Sequence, residues 1–163
     1  MNNKINYFLI VILIAFFSTK ASAAEIPYED RQAVYDLINT YSYAIDYYDT
    51  ELLMTLFTED GVFKVNSGGE LINTRVGAEE RYIEFSERAE RRIQNGVGQG
   101  HHYLTNIVID MPGEDYITGK VMAIVTNKPP GGSISVNSSG YYELEFRKEE
   151  GDWKISSLEL FYD

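Results

Sequence analysis

The chain of 163 residues carries 25 Asp and Glu against 14 Lys and Arg, for a formal net charge of −11, and no cysteine. Its length suits a single domain, and 44% apolar with 13% aromatic residues is enough for a packed core rather than a disordered tail. The acid excess argues against nucleic acid or anionic membrane as partners, and the lack of Cys excludes disulfides, thiol nucleophiles and Cys-based metal sites.

The first 23 residues read as an address. Residues 1–6 carry the amino terminus and Lys4, 7–17 form an unbroken apolar run, and Ala21-Ser22-Ala23 supplies a small-x-small cleavage pattern. The run is too short to span a bilayer, which takes about 20 apolar residues. The pattern predicts a secretory signal peptide over 1–23, a mature domain over 24–163, and export to the periplasm or the medium. No membrane contact is expected after the peptide is removed.

Over 27–48 the apolar residues Val34, Leu37, Ile38, Tyr41, Ala44, Ile45 and Tyr48 recur at helical spacing and form one stripe. Asp49 is placed to cap a short second helix ending at Leu56. Glu59-Asp60-Gly61 signals a turn into a strand over 62–65, and Asn66-Ser67-Gly68-Gly69 predicts a hairpin returning over 71–76. Residues 78–93 predict a charged helix with Tyr82, Phe85, Ala89 and Ile93 inward. Its Arg88, Arg91 and Arg92, interleaved with Glu87 and Glu90, read as a solvated face.

The glycine-rich stretch 94–100 reads as a mobile loop. Strands are expected over 101–111, 116–127, 134–148 and 153–162, punctuated by Pro112-Gly113, Pro129-Pro130-Gly131-Gly132 and Glu149-Glu150-Gly151-Asp152. The order predicts an α+β domain in which a long helix packs on a curved antiparallel sheet.

Five segments carry a resemblance: Tyr41-Ser42-Tyr43-Ala44-Ile45-Asp46-Tyr47-Tyr48-Asp49, Leu56-Phe57-Thr58-Glu59-Asp60-Gly61, His102-Tyr103-Leu104-Thr105-Asn106, Gly140-Tyr141-Tyr142-Glu143-Leu144 and Gly151-Asp152-Trp153-Lys154-Ile155. In these, and across essentially the whole mature chain, the sequence resembles the SnoaL-like branch of the nuclear transport factor 2-like superfold. The resemblance implies a cone whose helices and bent sheet enclose one pocket. Scytalone dehydratase, bile-acid dehydratase and hexachlorocyclohexane dehydrochlorinase relatives use an Asp–His pair at two of these motifs, which here are Asp46 and His102. The bile-acid enzymes place a Tyr five residues before the Asp, here Tyr41.

Such a trio suits elimination without a cofactor. His102 would take a proton, Asp46 would hold its tautomer, and Tyr41 would donate to a developing oxyanion or leaving group. Asn106, Tyr43, Tyr47 and Tyr142 are candidates to contact the ligand. The dehydrochlorinase relatives carry an Arg where this chain has Leu158, so halide elimination is not expected.

The residues themselves leave other readings open. His101 and His102 are adjacent, so on a strand they point to opposite faces and cannot chelate one metal together. No metal site is expected. Alternation puts His102 with Leu104, Asn106 and Val108, and spacing alone would make it a structural histidine. Asp46 falls outside the apolar stripe of its helix and is a solvated carboxylate unless the helix ends or bends there, or the pocket mouth lies beside the stripe. Tyr41 lies near the stripe centre and could be core; Trp153 reads as core.

These observations favour a cofactor-free lyase (a dehydratase) or isomerase acting on a small, mostly apolar hydroxylated or carbonyl compound. The alternatives are a non-catalytic pocket protein for a hydrophobic small molecule, and an assembly module that pairs through its sheet face. A homodimer or homotrimer is expected.

Overall fold

The computed structural model describes residues 25–96 and 99–163; the expected signal peptide, 1–23, lies outside them. Helix α1 (Tyr28–Asp46) starts behind Pro27, with Glu29 and Asp30 in the first turn where the helix dipole favours acids. It buries Val34, Ile38, Tyr41 and Ala44. The helix stops two residues short of the expected end because Tyr48 adopts a left-handed conformation, φ 60°. Asp49 then caps α2 (Thr50–Leu56), its carboxylate accepting the Leu52 N–H at 2.9 Å, as expected.

Strand β1 (Phe57–Ser67) is longer than expected, because Glu59-Asp60-Gly61 is absorbed as an irregularity within the strand rather than preceding it. Gly61 is needed there: a Cβ would lie 3.0 Å from the Thr58 hydroxyl and 3.1 Å from the Ile155 carbonyl oxygen. β2 (Glu70–Val76) returns antiparallel to β1. Helix α3 (Gly77–Gln94) follows, then β3 (Gln99–Gly113), β4 (Tyr116–Lys128), β5 (Ser135–Glu149) and β6 (Asp152–Tyr162). Part of the segment expected as a mobile loop, 94–100, thus belongs to α3 and β3, and residues 97 and 98 lie outside the described part.

The six strands form one sheet in the order β2-β1-β6-β5-β4-β3. The sheet is mixed rather than wholly antiparallel, since β6 inserts beside β1 and runs parallel to it. The β1–β2 hairpin and the β3-to-β6 meander are each antiparallel, and the seam between them is the single parallel pairing among the described strands. The sheet curves around the helices without closing, an α+β cone as expected.

The face of α3 turned inward differs from expectation. Arg81, Glu84 and Phe85 are buried, whereas Tyr82 and Ile93 are exposed. Arg81 explains the rotation: it donates to the carbonyls of Gly61 and, at 2.7 Å, Thr58, and its guanidinium lies 4.9 Å from the Phe57 ring centroid. Those carbonyls sit at the β1 irregularity, where the ladder leaves acceptors to be satisfied.

Trp153 is buried as expected, its indole N–H donating to Asp30 at 2.8 Å. Among the described residues, no helix is long and apolar enough to cross a membrane.

Candidate active site

Asp46 is the last residue of α1, and its burial follows from that position. In mid-helix its direction would face solvent; at the terminus the chain turns away and the carboxylate meets β3. That strand is the sheet edge, paired only to β4 among the described strands. The N–H of His102 therefore needs an acceptor outside the ladder. Asp46 supplies it, its two oxygens lying 3.0 and 3.2 Å from the His102 backbone nitrogen.

The same carboxylate sits 2.6 Å from His102 Nδ1. A carboxylate accepts and does not donate, so the ring carries a proton on Nδ1, and in the neutral imidazole Nε2 keeps its lone pair. His101 Nδ1 lies 3.7 Å from the other Asp46 oxygen. Both histidines reach Asp46 despite pointing to opposite faces of the strand, because the carboxylate lies along the strand's edge. Among the described residues, no group of three or more His, Asp or Glu side chains is arranged to hold a metal ion.

His102 and Asp46 line a cleft, open at its mouth, among α1, α2, α3 and the sheet. Its outer part is bounded by Tyr48, Thr50, Arg92 and Asn137. An inner chamber, with room for about one water molecule, is bounded by Tyr41, Phe63, Ala123, Tyr142 and Leu160. His102, Arg88, Ser138 and Tyr162 border both parts.

Tyr41 lies at the back of the inner chamber, 2% exposed, its ring edge-on to Tyr142 at 6.0 Å and to Phe57 at 6.4 Å. Burial pushes both phenols up, so both remain protonated donors at neutral pH. Tyr41 and Tyr142 thus line the cavity that His102 also borders.

Three other candidates are not. Tyr43 and Tyr47 are 66% and 64% exposed and stack on each other at 6.5 Å on the outer face of α1. Their i, i+4 spacing pairs them together, away from the stripe that holds Tyr41. Asn106 is also exposed. A bulge between Thr105 and Val108, with Asn106 at φ 52°, shifts the alternation of β3 by one residue. Beyond it Ile107 and Ile109 pack against the core, while Val108 is 67% exposed.

Sequence reading missed the two arginines. Arg88 and Arg92 border the cleft, while only Arg91 keeps to the solvated face, paired with Glu87 at 3.2 Å. Arg88 is held by Glu84 at 3.1 Å and lies 5.6 Å from the Phe63 ring centroid. Arg92 donates through Nε to the Tyr48 hydroxyl at 3.0 Å. The usable signal was the spacing 81, 84, 85, 88, 92, a stripe through a charged helix. Leu158, where the dehydrochlorinase relatives carry Arg, is fully buried in the core.

A model of the SnoaL-like domain matches residues 27–159. Several solved structures share the fold. An aromatic ring hydroxylase assignment from Novosphingobium aromaticivorans is 26% identical over 85% of this chain and 92% of its own, with a TM-score of 0.69. A scytalone dehydratase assignment from the same organism is 20% identical over 83% and 85%, TM-score 0.66. LinA is 19% identical over 83% and 86%, TM-score 0.67. A comparison with curated proteins finds no match. The differing assignments on one scaffold mean that chemistry has to be argued from the cleft and not from the fold. With the domain model running from the residue before α1 into β6, the chain belongs to the SnoaL-like domain family.

Proposed function

We propose that the protein is an acid–base lyase or isomerase that uses Asp46 and His102 to move a proton on a small, mostly apolar hydroxylated or carbonyl compound. One observation carries this reading: the 2.6 Å contact between His102 Nδ1 and Asp46 on the wall of a cleft, with the same carboxylate also accepting the His102 backbone N–H. The double grip fixes both tautomer and ring position, so the free Nε2 is the base. Nε2 removes a proton from carbon, and the C–H electron pair enters the new double bond. In elimination the C–O bond then breaks, and the departing hydroxide takes a proton from a cleft donor and leaves as water. In isomerisation the imidazolium returns its proton at a second carbon. Asp46 offsets the positive charge that the ring holds in between, and the protonated Tyr41–Tyr142 pair suits a developing oxyanion.

The test is deuterium incorporation in D₂O across a panel of hydroxylated aromatics, sterols and cyclic ketones, followed by mass spectrometry. Exchange catalysed by the wild type and slowed on the order of 10²–10⁴-fold in His102→Gln is the expected result. Ligands that stabilise the protein but never exchange, with Asp46→Asn indifferent, would leave a binding protein instead.

We also propose that the protein is exported after removal of residues 1–23, which the charged start, apolar run and Ala21-Ser22-Ala23 pattern support. Amino-terminal sequencing of protein recovered outside the cytoplasm should begin at Ala24.

A further inference from the structure

Arg92 and Arg88 are an expensive presence in this molecule unless something uses them. The protein as a whole is strongly acidic, yet α3 turns two guanidinium groups one helical turn apart toward the cleft. Glu84 is shared between Arg88 and Arg75, at 3.1 Å from each. Among the described residues, Arg92 forms no ion pair. It is nevertheless fixed: its Nε–H is bonded to the Tyr48 hydroxyl, and its guanidinium lies 5.9 Å from that ring's centroid.

Gly100 makes room for it, since a Cβ there would sit 3.0 Å from Arg92 Nη2. Arg88 and Arg92 against Asp46 thus leave this wall of the cleft with one net positive charge while His102 is neutral. A half-buried guanidinium without a counter-charge has lost solvation that an incoming anion can replace.

We infer that the ligand of this cleft carries a carboxylate, held by Arg92 with Arg88 as its second donor, while its apolar or aromatic body lies in the cleft against Leu53, Phe85 and Val125. The acid group binds at the mouth and His102 lines the same cleft, so the reacting carbon lies between the anchor and the apolar body. Binding energy from a group remote from the reacting bond then orients the carbon against Nε2. The acidic surface repels anions in general, and this one wall admits them. The inference rests on the proposed function only for what the acid is held for; the binding itself stands apart from turnover.

The experiment is a ¹H–¹⁵N titration of the purified protein, following backbone amides and arginine Nε–H signals. The probes are benzoate, cinnamate and cyclohexanecarboxylate, each against its primary amide at millimolar concentration. Saturable shifts at Arg92 and His102 with the acids, on the order of 10-fold weaker with the amides, are expected. Arg92→Gln should abolish the preference for acid over amide and Arg88→Gln should reduce it. Arg91→Gln, which removes the same charge from the solvated face of the same helix, should leave it intact. No saturable shift with any acid, equal binding of acid and amide, or a preference that survives Arg92→Gln would overturn the inference. If acids bind through Arg92 and no compound exchanges deuterium, the anion site stands and the lyase reading falls. If neutral compounds exchange while acids bind no better than amides, the reverse holds.

Discussion

Asp46 accepts from both the ring and the backbone of one histidine, and the two roles separate by substitution. Asp46→Asn keeps an oxygen for the His102 N–H but removes the charge and allows the amide to present N–H₂ to Nδ1. Exchange activity should fall on the order of 10²-fold or more with little change in melting temperature. Asp46→Ala also orphans the backbone N–H, and chemical denaturation should show a further loss of about 1–3 kcal/mol. Sequence motifs pointed to Asp46 and His102, but periodicity alone placed Asp46 in solvent. What it lacked was the helix stop: a left-handed Tyr48 is not encoded by any glycine or proline, and two residues of helix length decide whether this side chain is outside or inside. Tyr43 and Tyr47 show the opposite error, since a motif rich in tyrosine does not say which of them share a face.

At the scale of elements, α3 and β3 carry the surprises. A helix with nine acidic or basic side chains from Glu79 to Arg92 was expected to turn only its apolar residues inward, yet it buries Arg81 and Glu84 because β1 and β2 present partners for them. Burial alone would raise the Glu84 carboxyl, but the hydrogen bond and charge of Arg88, with Asn73 and Arg75, outweigh it and hold the group below its ordinary value. Asp60 is lowered by the Thr58 hydroxyl and Arg147, and Asp30 by Trp153 and Lys148.

A carboxylate depressed in the folded state contributes stability that is full above its unfolded value and lost as pH falls through the folded one. The melting temperature should therefore drop as pH falls below about 4, and Glu84→Gln should flatten that slope while lowering the plateau at neutral pH. In β3, Asn106 tolerates its positive φ, whereas Asn106→Val should cost about 1–2 kcal/mol by denaturant titration. No turn signal marked that bulge, which is why the alternation reading failed past Thr105.

For the whole molecule, element order and fold class were legible, because long amphipathic segments and glycine-punctuated strands suffice to indicate a helix-on-sheet domain. The parallel seam was not, since strand order depends on which edges meet and not on local pattern. Gly140 sits where β5 passes β6: a Cβ there would run into the Phe161 carbonyl oxygen, a backbone atom that cannot step aside. Gly140→Ala should cost roughly 1–3 kcal/mol or more and disturb Tyr162 at the cleft wall, read together by thermal denaturation and probe binding. The outer sheet face exposes Tyr103, Met122 and Ile124 around half, with Tyr103 paired to Ile124 across β3 and β4. We propose that copies of the chain meet through this apolar surface in the homodimer or homotrimer expected from the sequence, in which case Ile124→Glu sediments as a monomer in analytical ultracentrifugation while the wild type does not.

The position of β6 has a consequence for assembly in time. The last strand of the chain lies in the middle of the sheet, flanked by β1 on one side and β5 on the other. Until residues 152–162 are in hand, the hairpin and the meander are two pieces with unsatisfied edges. A nascent chain therefore cannot close its sheet before β6 has emerged. Folding should be governed by one late, long-range docking event, with truncation before Asp152 yielding no stable intermediate.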